Sequence, residues 1–138
     1  MEPADLPVFF AHQRDPAGAA LVGRPPRDED AFAAHWARIL ADDEVRMRAV
    51  LHGDALAGNV GAWTADGLRL VGYWIGREHW GRGVATRALA AFLDEETARP
   101  LHAEVLASNV GSIKVLERGG FRRASPPPAT DERLYILT

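Results

Sequence analysis

The segment from residue 71 to residue 90 reads VGYWIGREHWGRGVATRALA, and it decides the fold of this chain. Its β-branched and aromatic residues, which end at Ile75, favour a strand. From Val84 onward the apolar residues recur at helical spacing, which predicts a helix over about residues 84–98. The glycines between strand and helix allow a tight turn. The segment therefore predicts a strand, a short loop and a helix in direct succession.

The loop of this unit carries Gly81-Arg82-Gly83 at the start of the helix. A helix N-terminus presents unpaired amides and the positive end of the helix dipole, so it can seat a phosphate-type anion, and Arg82 adds a cation beside it. The loop is not a P-loop, because Gly-x-x-x-x-Gly-Lys-Ser/Thr does not occur in the chain. It also lacks the third glycine of a Rossmann fingerprint. On spacing alone, a tight turn without any ligand is an equally good interpretation.

The remaining sequence alternates between helical and strand patterns. Helices are predicted over residues 7–15, 28–41 (capped by Asp28) and 109–118. Turns or loops are predicted at 15–18 and 23–26, and a stiff proline loop at 125–128. Strands are predicted over residues 45–51, 56–63, 68–75, 101–106 and 134–137. This order predicts a mixed α/β sheet of five or six strands. Alternation in the first strand places on its core side Val45, Met47, Ala49 and Leu51.

The composition is that of one soluble domain over residues 1–138, with 47% hydrophobic and 25% charged residues. Cysteine is absent, which excludes disulfides, thiolate nucleophiles and cysteine zinc sites and fits a reducing compartment. The net charge of −3 without a basic block argues against nucleic acid as a partner. No apolar run is long enough to span a bilayer, and residues 1–5 lack the pattern of a signal peptide. We therefore expect a cytoplasmic protein with no membrane partner and no metal.

Two blocks of the sequence resemble GNAT acetyltransferases. Residues 75–89 are similar to the family's acetyl-CoA loop, Gln/Arg-x-x-Gly-x-Gly/Ala, with Gly83 and Ala85 in the last two defined positions and Trp80 where Gln or Arg is usual. Residues 109–121 are similar to the family's Asn-x-x-Ala/Ser-x-x-Leu/Val-x-Glu/Lys-Lys/Arg-x-Gly-Phe block. The Trp-Gly-basic-Gly form of the loop resembles the RimJ/RimL branch, which includes ribosomal-protein N-terminal acetyltransferases. The resemblance is sharp from Gly58 to Arg123 and weaker back to Leu6.

The resemblance implies the GNAT acyl-CoA N-acyltransferase fold, with acetyl-CoA as co-substrate. In that fold the strand before the loop splays from its parallel neighbour, and the pantetheine arm lies in the gap. By this resemblance the pantetheine pairs with backbone groups of Trp74, Ile75 and Gly76, and the Ile75 amide polarises the thioester carbonyl. Asn109 binds the arm from the other side, or caps the helix, or does both. The loop residues whose backbone amides are implied in pyrophosphate binding are Gly81, Arg82, Gly83, Val84, Ala85 and Thr86, and Trp80 before them is implied in coenzyme binding.

The implied reaction is direct attack of a primary amine on the thioester in a ternary complex. Many GNAT enzymes place a tyrosine acid where this chain has Leu116. By analogy with the RimJ/RimL branch, Ser112 stands near the sulfur as a candidate catalytic and coenzyme-binding residue, although a first-turn serine that satisfies the backbone is an equally good interpretation. Glu104 is a candidate base that shares one side of its strand with Leu106, and alternation does not say which side faces the amine. A chain of water molecules is the alternative base.

GNAT chains usually open with a strand, whereas residues 2–5 of this chain already resemble the turn that follows that strand. The first strand is therefore predicted to be missing. An uncovered sheet edge invites pairing with another chain, so we expect a homodimer.

Three functions are compatible with these observations, and one of them is a plain structural interaction domain, which requires the glycine loop to be empty. The other two involve acyl-CoA. The first is an N-acetyltransferase that acts on a protein N-terminus or on a small-molecule amine. The second is a non-catalytic acyl-CoA-binding or regulatory module, which Leu116 and the absence of an obvious base favour.

Overall fold

A mixed six-stranded sheet organises the residues that the computed structural model describes, which are 1–22, 25–124 and 131–138. The described helices are α1 (Leu6–Arg14), α2 (Pro16–Val22), α3 (Glu29–Ala41), α4 (Val84–Glu95) and α5 (Val110–Arg118). The described strands are β1 (Arg46–His52), β2 (Ala55–Ala65), β3 (Leu68–Ile75), β4 (Leu101–Leu106), β5 (Arg122–Arg123) and β6 (Glu132–Leu137), in the sheet order β1-β2-β3-β4-β6-β5. This architecture confirms the predicted α/β class with a mixed sheet. None of the described helices combines the length and the apolar character needed to cross a membrane.

Different helices cover the two faces of the sheet. On the α4–α5 face, alternate strand residues such as Val60 and Val71 pack with Leu89 and Phe92 of α4 in the main core. On the opposite α1–α3 face, an aromatic cluster of Phe9, Phe32 and Trp36 packs against β1 and β2. The helix that contributes Phe32 and Trp36 begins as predicted, because the Asp28 carboxylate accepts a hydrogen bond from the Ala31 amide at 2.8 Å.

Strand β1 contributes to both faces, and this differs from its predicted pattern. Met47 and Ala49 pack toward the α1–α3 face, whereas Val50 is buried in the main core. The register with β2 shifts between Val50 and Leu51, and Leu51 is 64% exposed. The prediction of a buried Leu51 is therefore wrong, because an irregularity in strand pairing interrupts the alternation that a sequence pattern assumes.

The predicted turn at residues 15–18 is wrong, because α2 begins there. Asp15 separates the two helices, and its carbonyl accepts a hydrogen bond from the Ala19 amide at 2.9 Å. Pro16 opens α2, a position where its fixed φ and missing N–H cost nothing. The same Asp-Pro pair therefore signals a helix start as readily as a turn. The predicted loops at 23–26 and 125–128 lie partly and wholly outside the described residues.

The parallel strands β3 and β4 separate toward their carboxyl ends. Among the described residues, Leu70 and His102 form the register pair that joins them. Strand β3 stays paired with β2 as far as Ile75, while β4 is paired with β6 as far as Leu106. The sheet thus opens into a gap between the last residues of β3 and those of β4, as the resemblance implies.

Strand β1 lies at one edge of this sheet. Within residues 1–22 and 25–45 the structure has helices and turns and no strand ahead of β1, in agreement with the prediction for that stretch. The homodimer that this edge suggests stays a prediction.

Candidate active site

A cleft of about 600 Å³ opens where β3 and β4 separate. Its walls come from the end of β3, the loop after it with the first turn of α4, the start of α5, and α2. The predicted coenzyme-binding residues that line it are Trp74, Ile75, Trp80, Gly81, Gly83, Val84, Ala85, Thr86, Asn109 and Ser112. Three predicted site residues do not line it, namely Gly76, Arg82 and Glu104.

The backbone at the end of β3 alternates between β2 and the gap. The Gly76 N–H donates to the Ala57 carbonyl at 2.8 Å, and the Gly76 carbonyl accepts from the His79 amide at 2.9 Å. Trp74 is paired with Asn59 of β2, so its backbone also faces β2, whereas the N–H of Ile75 faces the gap. The N–H groups of Gly76 and Trp74 are therefore directed toward β2, and the expected pantetheine contacts to these two residues stay a prediction. Of the three residues, Ile75 directs its amide toward the cleft.

The carbonyl of Ile75 has a partner within the loop. The indole Nε1–H of Trp80 donates a hydrogen bond to it at 2.8 Å. Trp80 is 39% exposed and lines the cleft with part of its side chain. This bond fixes the loop against the end of β3.

The first turn of α4 presents free amides to the cleft. Gly83 precedes the helix at a φ of 73°, and no side chain caps the helix start. Gly81 has the same φ of 73°, in the left-handed region that favours glycine. The amides of the first helical residues have no partner within the helix, so they can bind an anion.

The cations beside this anion seat differ from the sequence-based expectation. Arg82 is exposed, its side chain does not line the cleft, and its carbonyl accepts a hydrogen bond from the Arg87 guanidinium at 3.1 Å. Lys114 and Arg118 line the cleft from α5 instead. Their four-residue spacing places both on one helix face, and this spacing is visible in the sequence.

Tyr73 and Ser112 form a hydrogen-bonded pair across the cleft. Their hydroxyl oxygens lie 2.6 Å apart, and the Tyr73 hydroxyl lies 3.1 Å from the Ser112 carbonyl. Burial raises the pKa of Tyr73 to about 12, although the Ser112 hydrogen bond acts in the opposite direction. The Ser112 amide donates to the Asn109 side chain at 3.2 Å, so Asn109 caps α5. Sequence reasoning identified Ser112 and missed Tyr73.

Comparison with known proteins decides the family. A family model described as "Acetyltransferase (GNAT) domain" matches residues 1–122. The chain belongs to the GNAT acetyltransferase family. No curated protein has a sequence significantly similar to that of this GNAT domain.

Solved structures resemble this GNAT domain over nearly its whole length. An acetyltransferase from Thermus thermophilus is 20% identical, with 99% of this chain and 92% of that chain covered at a TM-score of 0.83. Spermidine N-acetyltransferase from Vibrio cholerae, in complex with CoA and spermine, is 15% identical, with 99% and 89% covered at 0.81. Aminoglycoside acetyltransferase AAC(6')-Ib, in complex with coenzyme A, is 14% identical, with 100% and 91% covered at 0.81. At these identities the likeness shows the GNAT fold.

Two residues that the GNAT resemblance brought forward lie away from the cleft lining. Leu116 is 2% exposed and belongs to the main core, so the position of the family's usual tyrosine acid is filled by packing. Glu104 is exposed, and its neighbours Ala103 and Val105 are buried in the main core. Glu104 therefore lies on the α1–α3 face. Strand alternation alone did not say which side of the sheet Glu104 occupies, and the structure decides it. The side chain of Glu104 does not line the cleft.

Histidines surround the loop of this GNAT domain. His79 lines the cleft, and its Nδ1 lies 3.1 Å from Nδ1 of His52 at the end of β1. His12 of α1 is buried, and its Nε2 lies 3.8 Å from the Glu78 carboxylate. Burial lowers the pKa of His12, Glu78 acts against this shift, and His79 adds to it. Among the described residues, no group of three or more histidine, cysteine, aspartate or glutamate side chains is arranged to hold a metal ion.

Proposed function

We propose that the protein transfers the acetyl group of acetyl-CoA to a primary amine by direct attack in a ternary complex. The observation that carries the proposal is the arrangement within one cleft of the Ile75 amide, which faces the gap between β3 and β4, and the uncapped start of α4. A thioester carbonyl accepts a hydrogen bond from such an amide, and a pyrophosphate binds such a helix start. Acetyl-CoA carries both groups on one flexible arm.

The side chains around the cleft support this placement of the coenzyme. Lys114 and Arg118 supply positive charge for its phosphates. Trp80 keeps the loop against the end of β3. The side-chain oxygen of Asn109 caps α5, so its side-chain NH2 group can donate a hydrogen bond to the pantetheine arm.

The amine approaches the thioester from the α1–α3 face. The side chain of Trp74 and residues Gly18 and Leu21 of α2 line that end of the cleft. Glu104 is the predicted base and lies on this face, and because it does not line the cleft we propose that it accepts the ammonium proton through water. Two structural neighbours that are named for amine substrates, spermidine N-acetyltransferase and an aminoglycoside acetyltransferase, support an amine acceptor. The form of the loop supports membership of the RimJ/RimL branch, and with it a protein N-terminus as one acceptor.

Calorimetric titration with acetyl-CoA tests the coenzyme site. Gly81→Glu places a carboxylate at the anion seat, and Gly53→Glu is its matched control, since both glycines have positive φ (73° and 62°) with open space around the Cβ position. Gly53 lies in the β1–β2 turn, away from the cleft. We expect Gly81→Glu to weaken binding at least tenfold while Gly53→Glu binds as the wild type does. Equal binding by both variants would remove the anion seat from the proposal.

Release of free thiol from acetyl-CoA tests the reaction. The amines to be tested are a peptide N-terminus, a polyamine and an aminoglycoside. Mass spectrometry detects the acetylated product. Binding of acetyl-CoA without turnover of any amine would favour the non-catalytic module, which the burial of Leu116 supports.

We further propose a cytoplasmic location, supported by the absence of cysteine, and a homodimer, which light scattering tests.

A further inference from the structure

The indole ring of Trp74 lies on the side of the cleft from which the amine approaches. Its neighbours along β3, Tyr73 and Ile75, pack in the main core on the α4–α5 face, so strand alternation directs the Trp74 side chain to the α1–α3 face. There it packs so close to α2 that a Cβ atom on Gly18 would lie 3.2 Å from Cζ2 of the indole. Trp74 is thus next to the Ile75 amide in the chain and on the acceptor side of the sheet.

The N–H group of the Trp74 indole is a hydrogen-bond donor without a partner in the described part of the structure. The side-chain polar atoms that are both buried and unpaired there are Nδ1 of His12 and Nδ1 of His102, so the Trp74 indole nitrogen keeps access to solvent. The indole N–H of Trp80, by contrast, is bonded to the Ile75 carbonyl. A donor that stays free beside the reaction centre can bind an oxygen atom of the acceptor.

An apolar side chain belongs to the same wall of the cleft. Leu21 follows Gly18 by three residues, so both lie on one face of α2, and both line the cleft. A carbonyl oxygen only accepts hydrogen bonds, whereas a hydroxyl group also needs an acceptor for its own proton, which Leu21 and the indole of Trp74 do not provide. This wall therefore favours an acceptor with a carbonyl oxygen and an apolar group near its nitrogen.

The charges of the cleft disfavour an acceptor with a second positive charge. The lysine and arginine of the described lining are Lys114 and Arg118 on α5, which the proposed function assigns to the coenzyme phosphates. Within the described part of the chain, none of the lining residues is aspartate or glutamate. Glu104, the proposed base, acts through water from outside the lining. A second ammonium group would lose its water in this cleft without gaining a counter-charge.

The carboxylates in the segments that flank α2 and the end of β3 already have partners. Asp15, which precedes α2, lies 3.2 Å from the Arg77 guanidinium. The Glu78 carboxylate lies 3.8 Å from the ring of His12 and 3.7 Å from that of His79, and its side chain is 69% exposed. An exposed carboxylate contributes little to the binding of a cation. A polycation therefore gains no advantage from these groups.

We propose that the acceptor is a singly charged α-amino amide, which is a primary amine with a carbonyl group and an apolar side chain on the carbon next to its nitrogen. The Trp74 indole N–H donates a hydrogen bond to the carbonyl oxygen, and the apolar side chain packs against the indole ring and Leu21. Trp74 and Leu21 are the residues that determine this specificity. The inference rests on the proposed acetyl transfer and names its acceptor class.

The reaction itself is that of the proposed function. The amine nitrogen forms a bond to the thioester carbon, and the carbon–sulfur bond breaks with its electron pair on sulfur. The nitrogen loses its proton through water to Glu104, and water returns one proton to the thiolate. Trp74 keeps its indole proton throughout.

The first test isolates the hydrogen bond to the carbonyl oxygen. Norleucinamide has the proposed chemistry, and pentylamine is the same amine without the carboxamide. We expect Trp74→Phe to lower kcat/KM for norleucinamide about fivefold, which is the net effect of one hydrogen bond, and to change that for pentylamine less than about twofold. The two amines differ in basicity, and comparing each amine between the two proteins removes this difference. Trp63→Phe is the control, because Trp63 does not line the cleft.

The second test isolates the charge. Lysinamide differs from norleucinamide by a second ammonium group at the end of its side chain, and mass spectrometry identifies which of its amines is acetylated. We expect the wild type to acetylate norleucinamide with a kcat/KM about tenfold or more above that for the α-amine of lysinamide. Leu21→Glu supplies the missing carboxylate and should reduce this ratio about tenfold. Leu40→Glu is the matched control, because Leu40 is 46% exposed on α3 and does not line the cleft.

A peptide that begins with norleucine carries the same amino amide group as norleucinamide. Both of its outcomes support the acceptor class and distinguish the source of the group. A higher kcat/KM for the peptide assigns the group to the end of a polypeptide chain, and a higher value for norleucinamide assigns it to a small molecule.

The outcomes separate this inference from the proposed function. Turnover of lysinamide, a polyamine or an aminoglycoside as efficient as that of norleucinamide overturns the inference and leaves the acetyltransferase standing. An equal loss for norleucinamide and pentylamine in Trp74→Phe also overturns the inference alone. If the wild-type protein binds acetyl-CoA and acetylates none of the amines, the proposed function is overturned, and the inference with it.

Discussion

The indole nitrogen of Trp80 lies 2.8 Å from the carbonyl oxygen of Ile75, and this hydrogen bond connects the end of β3 to the loop that leads into α4. Ile75 also carries the amide that faces the gap between β3 and β4. Trp80 is followed directly by the glycines that lead into α4. The position of the anion seat is therefore fixed relative to the amide that would polarise the thioester.

Replacement of Trp80 by Phe tests this connection. Phe retains an aromatic ring but cannot donate the hydrogen bond, so the loop is held less firmly and binding must order it. We expect Kd for acetyl-CoA to rise about fivefold, which corresponds to the net contribution of one hydrogen bond. Calorimetry provides the measurement. Trp63→Phe is a matched control, because Trp63 is exposed to a similar extent (37% against 39%) and does not line the cleft; an equal change in both variants would contradict the role of Trp80.

The general fold could be predicted because several local signals agree with one another. The change from strand pattern to helix pattern around the glycine loop, the Asp28 cap and the order of the strands all lead to the observed sheet. The burial of Leu51 could not be predicted, since a shift of register depends on how two strands pair. The start of α2 at Pro16 was missed because proline is suited both to turns and to a first helical turn.

Residues of the candidate site could be predicted only where a local sequence motif marks them. Gly81, Gly83 and the first turn of α4, which the loop motif predicts to bind the coenzyme, line the cleft. Tyr73 and Ser112 are 39 residues apart, and no local pattern indicates that their hydroxyl groups meet. The face on which Glu104 lies depends on which helices pack on each side of β4, and alternation gives the two sides without distinguishing them.

A buried carboxylate at the end of α4 is expected to stabilise the fold. The Glu96 side chain is 6% exposed, bonded to the Arg69 guanidinium and 3.6 Å from that of Arg46. Glu96→Gln leaves positive charge without its counter-charge, and we expect the free energy of unfolding to fall by about 3 kcal/mol. Glu95→Gln is the neighbouring control. Glu95 pairs with Arg48, and both side chains are 46% exposed, so its loss costs under about 1 kcal/mol. Urea unfolding compares the two, and equal losses would contradict the importance of burial.

The buried His12 is expected to make stability depend on pH. Burial lowers its pKa in the folded protein below the ordinary value of 6.5, so below pH 6.5 the unfolded chain binds a proton that the folded protein binds only at lower pH. The free energy of unfolding therefore falls as the pH drops through this window. His12→Gln cannot titrate, and we expect it to flatten the decline between about pH 7 and pH 5. Urea unfolding at several pH values measures the slope, and a uniform offset with an unchanged slope would contradict the prediction.

Lys114 and Arg118 are expected to contribute more to coenzyme binding than Arg82, which lies within the glycine loop before α4. Both α5 residues line the cleft, whereas Arg82 is exposed outside it. Because the α5 residues are themselves exposed to solvent, we expect Lys114→Gln and Arg118→Gln each to raise Kd for acetyl-CoA about fivefold. Arg82→Gln should change Kd less than about twofold. Titrations at rising salt should shrink the effects of the α5 variants, since screening weakens exposed charge interactions. A larger effect of Arg82→Gln than of either α5 variant would instead restore the sequence-based assignment of the phosphate cation.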